Sequence, residues 1–226
     1  MNLGLVFYHG WGLDAHFWQP LSARLSQYPH VFFDAGYFGP LQTPTLPPDH
    51  RWVGIGHSLG FARALQTVPE GGWAALVSVA GFTRFCAPPS GGAGQPRRVV
   101  ERMVRAYARE PQVVLVDFLT RCGLADRSPP PGAARNDTRL AADLALLLDI
   151  DVQTQWAALT ALRTVHTPVL ALAARDDAIV SSALTEATFA ERPDTQLVWC
   201  AQGGHALGHA GAEVCAAAIT DFLAAL

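Results

Sequence analysis

One stretch constrains this 226-residue chain more than any other: Trp52, Val53, Gly54, Ile55, then Gly56-His57-Ser58-Leu59-Gly60. A short apolar run containing the β-branched Val53 and Ile55 ends in Gly-His-Ser-Leu-Gly, and a helix-compatible segment, residues 61–67, follows. The pattern reads as strand, sharp turn, helix, with a serine at the turn. Gly-x-Ser-x-Gly has a mechanical reason. The serine backbone is held in a strained conformation that projects its hydroxyl above the sheet, and the flanking positions must be nearly free of side chain where strand and helix pass close together. The competing reading is a tight βα turn whose serine caps the helix.

Length and composition fit one domain with a substantial core. Half of the residues are hydrophobic and 15% are charged, with a formal net charge of −3. That balance does not point to nucleic acid. All sixteen basic residues are arginine. The first residues lead straight into a strand, without a basic region or a cleavage site, and no apolar run approaches about 18 residues, so neither a secretory signal nor a membrane span is expected. The cysteines (Cys86, Cys122, Cys200, Cys215) lie far apart without metal or redox spacing and read as buried free thiols in a cytoplasmic protein.

Six apolar runs read as strands: residues 3–8, 31–34, 52–55, 75–80, 168–173 and 196–200. Residues 14–27 predict an amphipathic helix with Phe17, Trp18, Leu21 and Leu25 on one side. Residues 36–50, rich in Pro, Gly and Thr, read as loop, and residues 212–226 as a closing helix. Continuous apolar strands alternating with helices argue for a mostly parallel α/β sheet of about six strands covered on both faces. Between the fourth and fifth strands, residues 82–167 form an insertion that is not strand-like. Helices are expected near 97–109, 111–122, 137–149 and 152–162, and Pro/Gly-rich loops at 87–96 and 127–136. The expected organisation is a core of residues 1–81 and 168–226 carrying a helical cap, 82–167, over the C-terminal edge of the sheet, where open α/β sheets bind ligands.

A serine is a poor nucleophile unless a base lies within hydrogen-bond reach and an acid orients that base. In the chain order Ser…Asp…His, both follow later strands. Asp177 lies just beyond the fifth strand and His205, in Gly203-Gly204-His205, just beyond the sixth. Both therefore fall on the same sheet edge as Ser58. Ser58 reads as nucleophile, His205 as base and Asp177 as the acid that fixes the imidazole tautomer. Asp176 is the alternative acid and His209 the alternative base. His57 is expected to support the turn. The other histidines, His16, His30, His50 and His166, show no ligand spacing, so no metal is expected, and chemistry through a serine nucleophile calls for no organic cofactor. An oxyanion needs two preorganised donors. The backbone N–H of Leu59 and that of Trp11, in His9-Gly10-Trp11-Gly12, are the candidates. Trp11 and Phe82 are the candidate pocket walls.

These residues resemble the α/β-hydrolase superfamily: His9-Gly10-Trp11-Gly12, Gly56-His57-Ser58-Leu59-Gly60, Asp177 before Ile179-Val180, and Gly204-His205. The resemblance runs over essentially the whole chain and implies an α/β-hydrolase fold and a serine carboxylesterase acting through an acyl-enzyme. More narrowly, Tyr8 to Trp18, with Trp11 and Trp18, is similar to the opening of the pimeloyl-acyl-carrier-protein methyl ester esterases of biotin synthesis. Leu144, Leu148, Asp149, Asp151 and Trp156 are similar to that family's last cap helices. The chain departs from the superfamily in starting at what would be its third strand, in replacing the helix before the serine strand by a loop, and in carrying Phe61 where a second glycine is common. One face of the sheet is therefore expected to be thinly covered.

Arg98, Arg102, Arg105 and Arg109 recur at helical spacing, and Arg97 extends the cluster. Val99, Val100, Met103, Val104 and Tyr107 form the opposing apolar face. The bland reading is a solvated helix face. The sharper one is a docking surface for an acidic partner, since the planar guanidinium suits phosphate and carboxylate. The resembled family binds an acyl carrier protein through basic cap residues. The expected partners are therefore an ester substrate and such a carrier, with no nucleic acid and no membrane.

Overall fold

The computed structural model of the protein describes residues 2–126, 134–161 and 167–226. Six strands form one sheet in which every neighbouring pair is parallel: β1 (Asn2–Tyr8), β2 (His30–Phe33), β3 (His50–His57), β4 (Ala75–Val79), β5 (Val169–Ala174) and β6 (Gln196–Cys200). Their order is β2-β1-β3-β4-β5-β6. β4 and β5 are buried at every position, while β2 and β6, at the edges, are half-buried. This is why the central strands read as unbroken apolar runs: both faces of a parallel sheet are covered by the crossover helices.

The crossovers sort onto two faces. A 3₁₀ turn (Ala15–Trp18) runs into α1 (Gln19–Arg24), which packs against α9 (Ala212–Ala224) beside the short α8 (Leu207–Ala210). The helix expected over 14–27 is thus shorter and broken, because Pro20 starts a new first turn. Phe7 of β1 turns toward this face, its ring 5.2 Å from that of Trp18. Tyr8, the next residue, stacks its edge on Trp73, on the opposite face. That second face carries α2 (Leu59–Gln66), α6 (Gln153–Ala161) and α7 (Ser182–Ala190).

Three aromatic rings lock these helices together. Phe61 of α2, Trp156 of α6 and Phe189 of α7 meet pairwise with centroids 5.7–6.1 Å apart. The expectation of a thinly covered face is corrected here. Residues 36–49 hold no helix, as expected, but α6 swings back from the insertion and its buried Trp156 fills the layer. α7 was not legible as a helix, being rich in Thr and weakly amphipathic; its signal is Ser181, whose hydroxyl caps Leu184 N–H at 3.3 Å.

The rest of the insertion, α3 (Arg97–Tyr107), α4 (Pro111–Arg121) and α5 (Asp137–Leu146), packs as a group with α3 between the other two. It sits over the C-terminal ends of the strands. Asp143 of α5 accepts from Arg63 of α2 and from the Tyr37 hydroxyl, at 2.5 and 2.6 Å, and Arg139 donates to Ala35 O at 2.9 Å. Of the expected loop over 127–136 only 134–136 are described, and Leu162 and His166 lie outside the described residues.

Candidate active site

Ser58 stands between the last residue of β3 and the first of α2 with φ 53° and ψ −124°. A positive φ at a non-glycine residue is sterically costly and persists only where the surroundings enforce it. The enforcement is visible on both sides. A Cβ at Gly56 would press into the Phe61 backbone, and one at Gly60 into the Tyr8 carbonyl. The Ser58 amide donates to Val79 O at 3.1 Å. Its hydroxyl caps nothing in α2, so the turn does not use the serine as a helix cap.

His205 arrives from β6 on a loop turned by Gly203 (φ 132°) and Gly204 (φ 56°). Asp176 holds that loop, its carboxylate accepting from the amides of Gly204 at 2.8 Å and Gly203 at 3.3 Å. Asp177 performs the other task. Its Oδ2 lies 2.9 Å from His205 Nδ1, while Oδ1 accepts from Ile179 N–H and Val180 N–H at 2.7 and 2.9 Å. Of the two adjacent aspartates, then, Asp177 meets the imidazole and Asp176 fixes the backbone that carries it. An ionised Asp177 places the proton on Nδ1 and leaves Nε2 as an acceptor. Nε2 is buried and, among the described residues, has no hydrogen-bond partner.

The loop also closes onto the serine turn. His57 Nε2 donates to the His205 carbonyl at 2.8 Å, with the two rings 4.7 Å apart. His57 therefore ties the loop that carries His205 to the neighbour of Ser58. His209 is elsewhere: it sits on α8, donates to Phe17 O at 3.1 Å and stacks on the Phe17 ring. Ser58 is 6% exposed and His205 is fully buried.

On the other side of the serine runs the loop after β1. A Cβ at Gly10 would lie 3.0 Å from Ser58 Cβ, so this backbone passes directly against Ser58. Trp11 N–H follows it, and Leu59 N–H opens α2, where first-turn amides lack intrahelical partners. His9, which carried no role in the sequence beyond a strand end, braces this loop. Its Nδ1 donates to Gly10 O at 2.8 Å and its Nε2 accepts from Ala35 N–H at 2.9 Å. Asp34, 3.6 Å from His9, also accepts from the amides of Ala15 and Gly36. Burial would raise the Asp34 carboxyl; the hydrogen bonds from the Ala15 and Gly36 amides favour its ionised form and hold its pKa below the ordinary value. Cys122 is shifted the opposite way, its thiol pushed up by burial and by the nearby Asp177 charge.

The Trp11 side chain donates to Leu140 O at 2.7 Å and packs edge-on against Tyr107 and Phe118. It forms one wall of a cavity of about 50 Å³ under α3, with Phe85, Val100, Met103, Phe118 and Leu147 among the others. Phe82 does not line it. The chain kinks at Ala80 (φ 49°), and the Phe82 ring is wholly buried behind Phe85, 4.9 Å away. Phe85 and Phe118 were not legible as site residues, since an aromatic at helical or loop spacing carries no signal of what it faces.

The arginine stripe is partly as expected. Arg98, Arg102, Arg105 and Arg109 are exposed and, among the described residues, have no ion-pair partner. Arg97 is spoken for by Asp149 and Glu101, at 2.9 and 3.2 Å. α3 ends at Tyr107, whose hydroxyl donates to Asp137, so Arg109 lies past the helix in the turn.

No helix among the described residues is long and apolar enough to cross a membrane, and no group of three or more His, Cys, Asp or Glu among them could hold a metal. No protein-family model matches the chain, and no curated protein matches it in sequence. Solved structures do. An esterase from Exiguobacterium antarcticum superposes with a TM-score of 0.77 at 13% identity, over 98% of this chain and 91% of that one. A thermophilic esterase from Thermogutta terrifontis gives 0.75 at 18% identity over 99% and 90%. A bromoperoxidase from Bacillus anthracis gives 0.75 at 16% identity over 99% and 92%. At such identities the likeness is one of fold, and the fold of this chain, a six-stranded parallel sheet wrapped by helices, is that of the α/β-hydrolases.

Proposed function

We propose that the protein is a serine carboxyl-ester hydrolase. The observation that carries this reading is the His205 Nε2, buried and without a hydrogen-bond partner among the described residues, on a ring oriented by Asp177 and tied through His57 to the turn that presents Ser58. In this reading Ser58 Oγ attacks the ester carbonyl while His205 Nε2 takes its proton. The tetrahedral oxyanion is met by the backbone N–H groups of Trp11 and Leu59. The imidazolium, stabilised by Asp177, protonates the departing alkoxide, leaving an acyl-enzyme. Water, activated by the same imidazole, then releases the acid. Ser58 Oγ does not engage Nε2 in this structure; such bonds commonly tighten only with substrate. No step calls for a cofactor.

The finer reading is that the ester is the methyl ester of pimeloyl-acyl-carrier protein in biotin synthesis, in the cytoplasm. It is supported by the similarity of residues 8–18 to that family's opening and by Arg98, Arg102 and Arg105 of α3, exposed and, among the described residues, without an ion-pair partner, which suit an acidic carrier. A second reading is a hydrolase of broad scope for small esters, lactones or thioesters, for which the same Ser58, His205 and Asp177 would serve. Hydrolysis of short p-nitrophenyl esters by wild type and Ser58→Ala tests the common part. Wild type should turn over, and Ser58→Ala should lose about 10⁴–10⁶ in kcat. A wild type inert on a broad ester panel would sink the enzyme reading, leaving a ligand-binding protein on the same fold. Methyl-pimeloyl-carrier hydrolysis then separates the two substrate readings.

A further inference from the structure

Within the cap, Phe118 of α4 reaches both halves of the candidate site. Its ring lies 4.9 Å from Trp11 and 6.4 Å edge-on from His205. It packs over the turn that carries the Trp11 amide: a Cβ at Gly12 would sit 3.5 Å from its ring. The same ring forms part of the wall of the cavity under α3, and neither Ser58 nor His205 borders that cavity. Phe118 thus stands between the candidate base and a space lined mainly by apolar side chains, Val100, Met103 and Leu147 among them, with Gln95 and Arg121 also on its wall. Leu115, one turn earlier on α4, is buried against the same Gly12.

We infer that Phe118 is the specificity-determining residue for the alkoxy group of the ester, closing off the apolar cavity behind it so that only small alkoxy groups fit. The inference rests on the ester-hydrolase reading of the site. Its geometry follows from the chemistry. The leaving oxygen must lie against His205 Nε2 to be protonated. The carbon chain carried by that oxygen is therefore the part of the substrate that meets a ring packed on the His205 imidazole. The acyl chain leaves the tetrahedral carbon in another direction. Removing the ring joins the existing cavity to the site and makes room for further methylenes.

The test uses two series, methyl to hexyl esters of butyric acid and methyl esters of acetic to octanoic acid, on wild type, Phe118→Ala, Phe118→Leu and Phe118→Trp. For wild type, kcat/KM should fall steeply beyond ethyl in the alkoxy series. In Phe118→Ala the butyl-to-methyl ratio of kcat/KM should rise about tenfold or more, given what a few methylenes contribute in an apolar pocket. Phe118→Leu should lie between, and Phe118→Trp should lower the ratio, so a poorly folding alanine variant still leaves two informative ones. An unchanged ratio in the variants that fold, or a shift confined to the acyl series, overturns the inference while leaving the hydrolase reading intact. Absence of turnover by wild type on both series overturns the hydrolase reading, and the inference falls with it.

Discussion

Asp176 and Asp177 are neighbours of the same residue type, and only one touches the imidazole. Their difference is positional. Asp177 is turned inward and is fixed by the Ile179 and Val180 amides, whereas Asp176 points along the surface to Gly203 and Gly204. Asp177→Asn should keep the fold and lower kcat by about 10⁴, because the amide favours the wrong imidazole tautomer. Asp176→Asn should cost far less in kcat, since it loosens a loop rather than reversing a proton. Comparing the two by ester turnover, with circular dichroism as a check on folding, separates their roles; equal losses would contradict the assignment.

Asp34 gives a pH-dependent expectation at the same scale. Its folded pKa, about 2, lies below the ordinary carboxylate value of 3.8. A depressed pKa contributes stability that is fully present above the unfolded value and lost as pH falls through the folded one. Wild type should therefore lose more stability than Asp34→Asn between pH 5 and pH 2, in urea midpoints. Parallel declines would show that Asp34 is not held in its ionised form by the Ala15 and Gly36 amides.

At the level of elements, the strands were legible because burial on both faces writes itself as unbroken apolar runs. Each of the six expected runs is a strand. Helices were legible where one face is polar. α3, with arginines opposite Val100 and Tyr107, is an example. α7 escaped because its buried positions include Thr185 and Thr188, the latter returning its hydroxyl to Leu184 O at 2.8 Å. α3 also carries a prediction about docking. Arg102 and Arg105 are exposed and, among the described residues, unpaired, so reversing both to Glu should leave hydrolysis of a small soluble ester within about twofold. Against a carrier-bound ester the same double variant should weaken kcat/KM by tenfold or more, an effect that salt diminishes in the wild type. Equal losses on both substrates would return the stripe to a solvated helix face.

The whole molecule is where the site comes together. β3 and β6 are separated by two strands, roughly 14 Å across the sheet, and Ser58 and His205 follow these strands. Nothing in the local sequence brings the two side by side. The His205 loop crosses back over β4 and β5, anchored by Asp176 on the way and by His57 at its end. The cap is assembled in the same long-range manner. Trp11, from the first loop, donates to Leu140, 129 residues on, and α6 leaves the cap to complete the opposite layer through Trp156.

The sequence by itself determined the strand–turn–helix at Ser58, the six-stranded parallel sheet and the edge on which Asp177 and His205 emerge. Each of these follows from local sterics, the period of apolar residues and chain order. Only the tertiary structure decided which aspartate meets the imidazole, that Phe85 rather than Phe82 lines the cavity, and that Phe118 covers the candidate base. Those outcomes depend on where side chains far apart in sequence point once packed, and hydrophobic pattern, which records burial but not direction, does not carry that information.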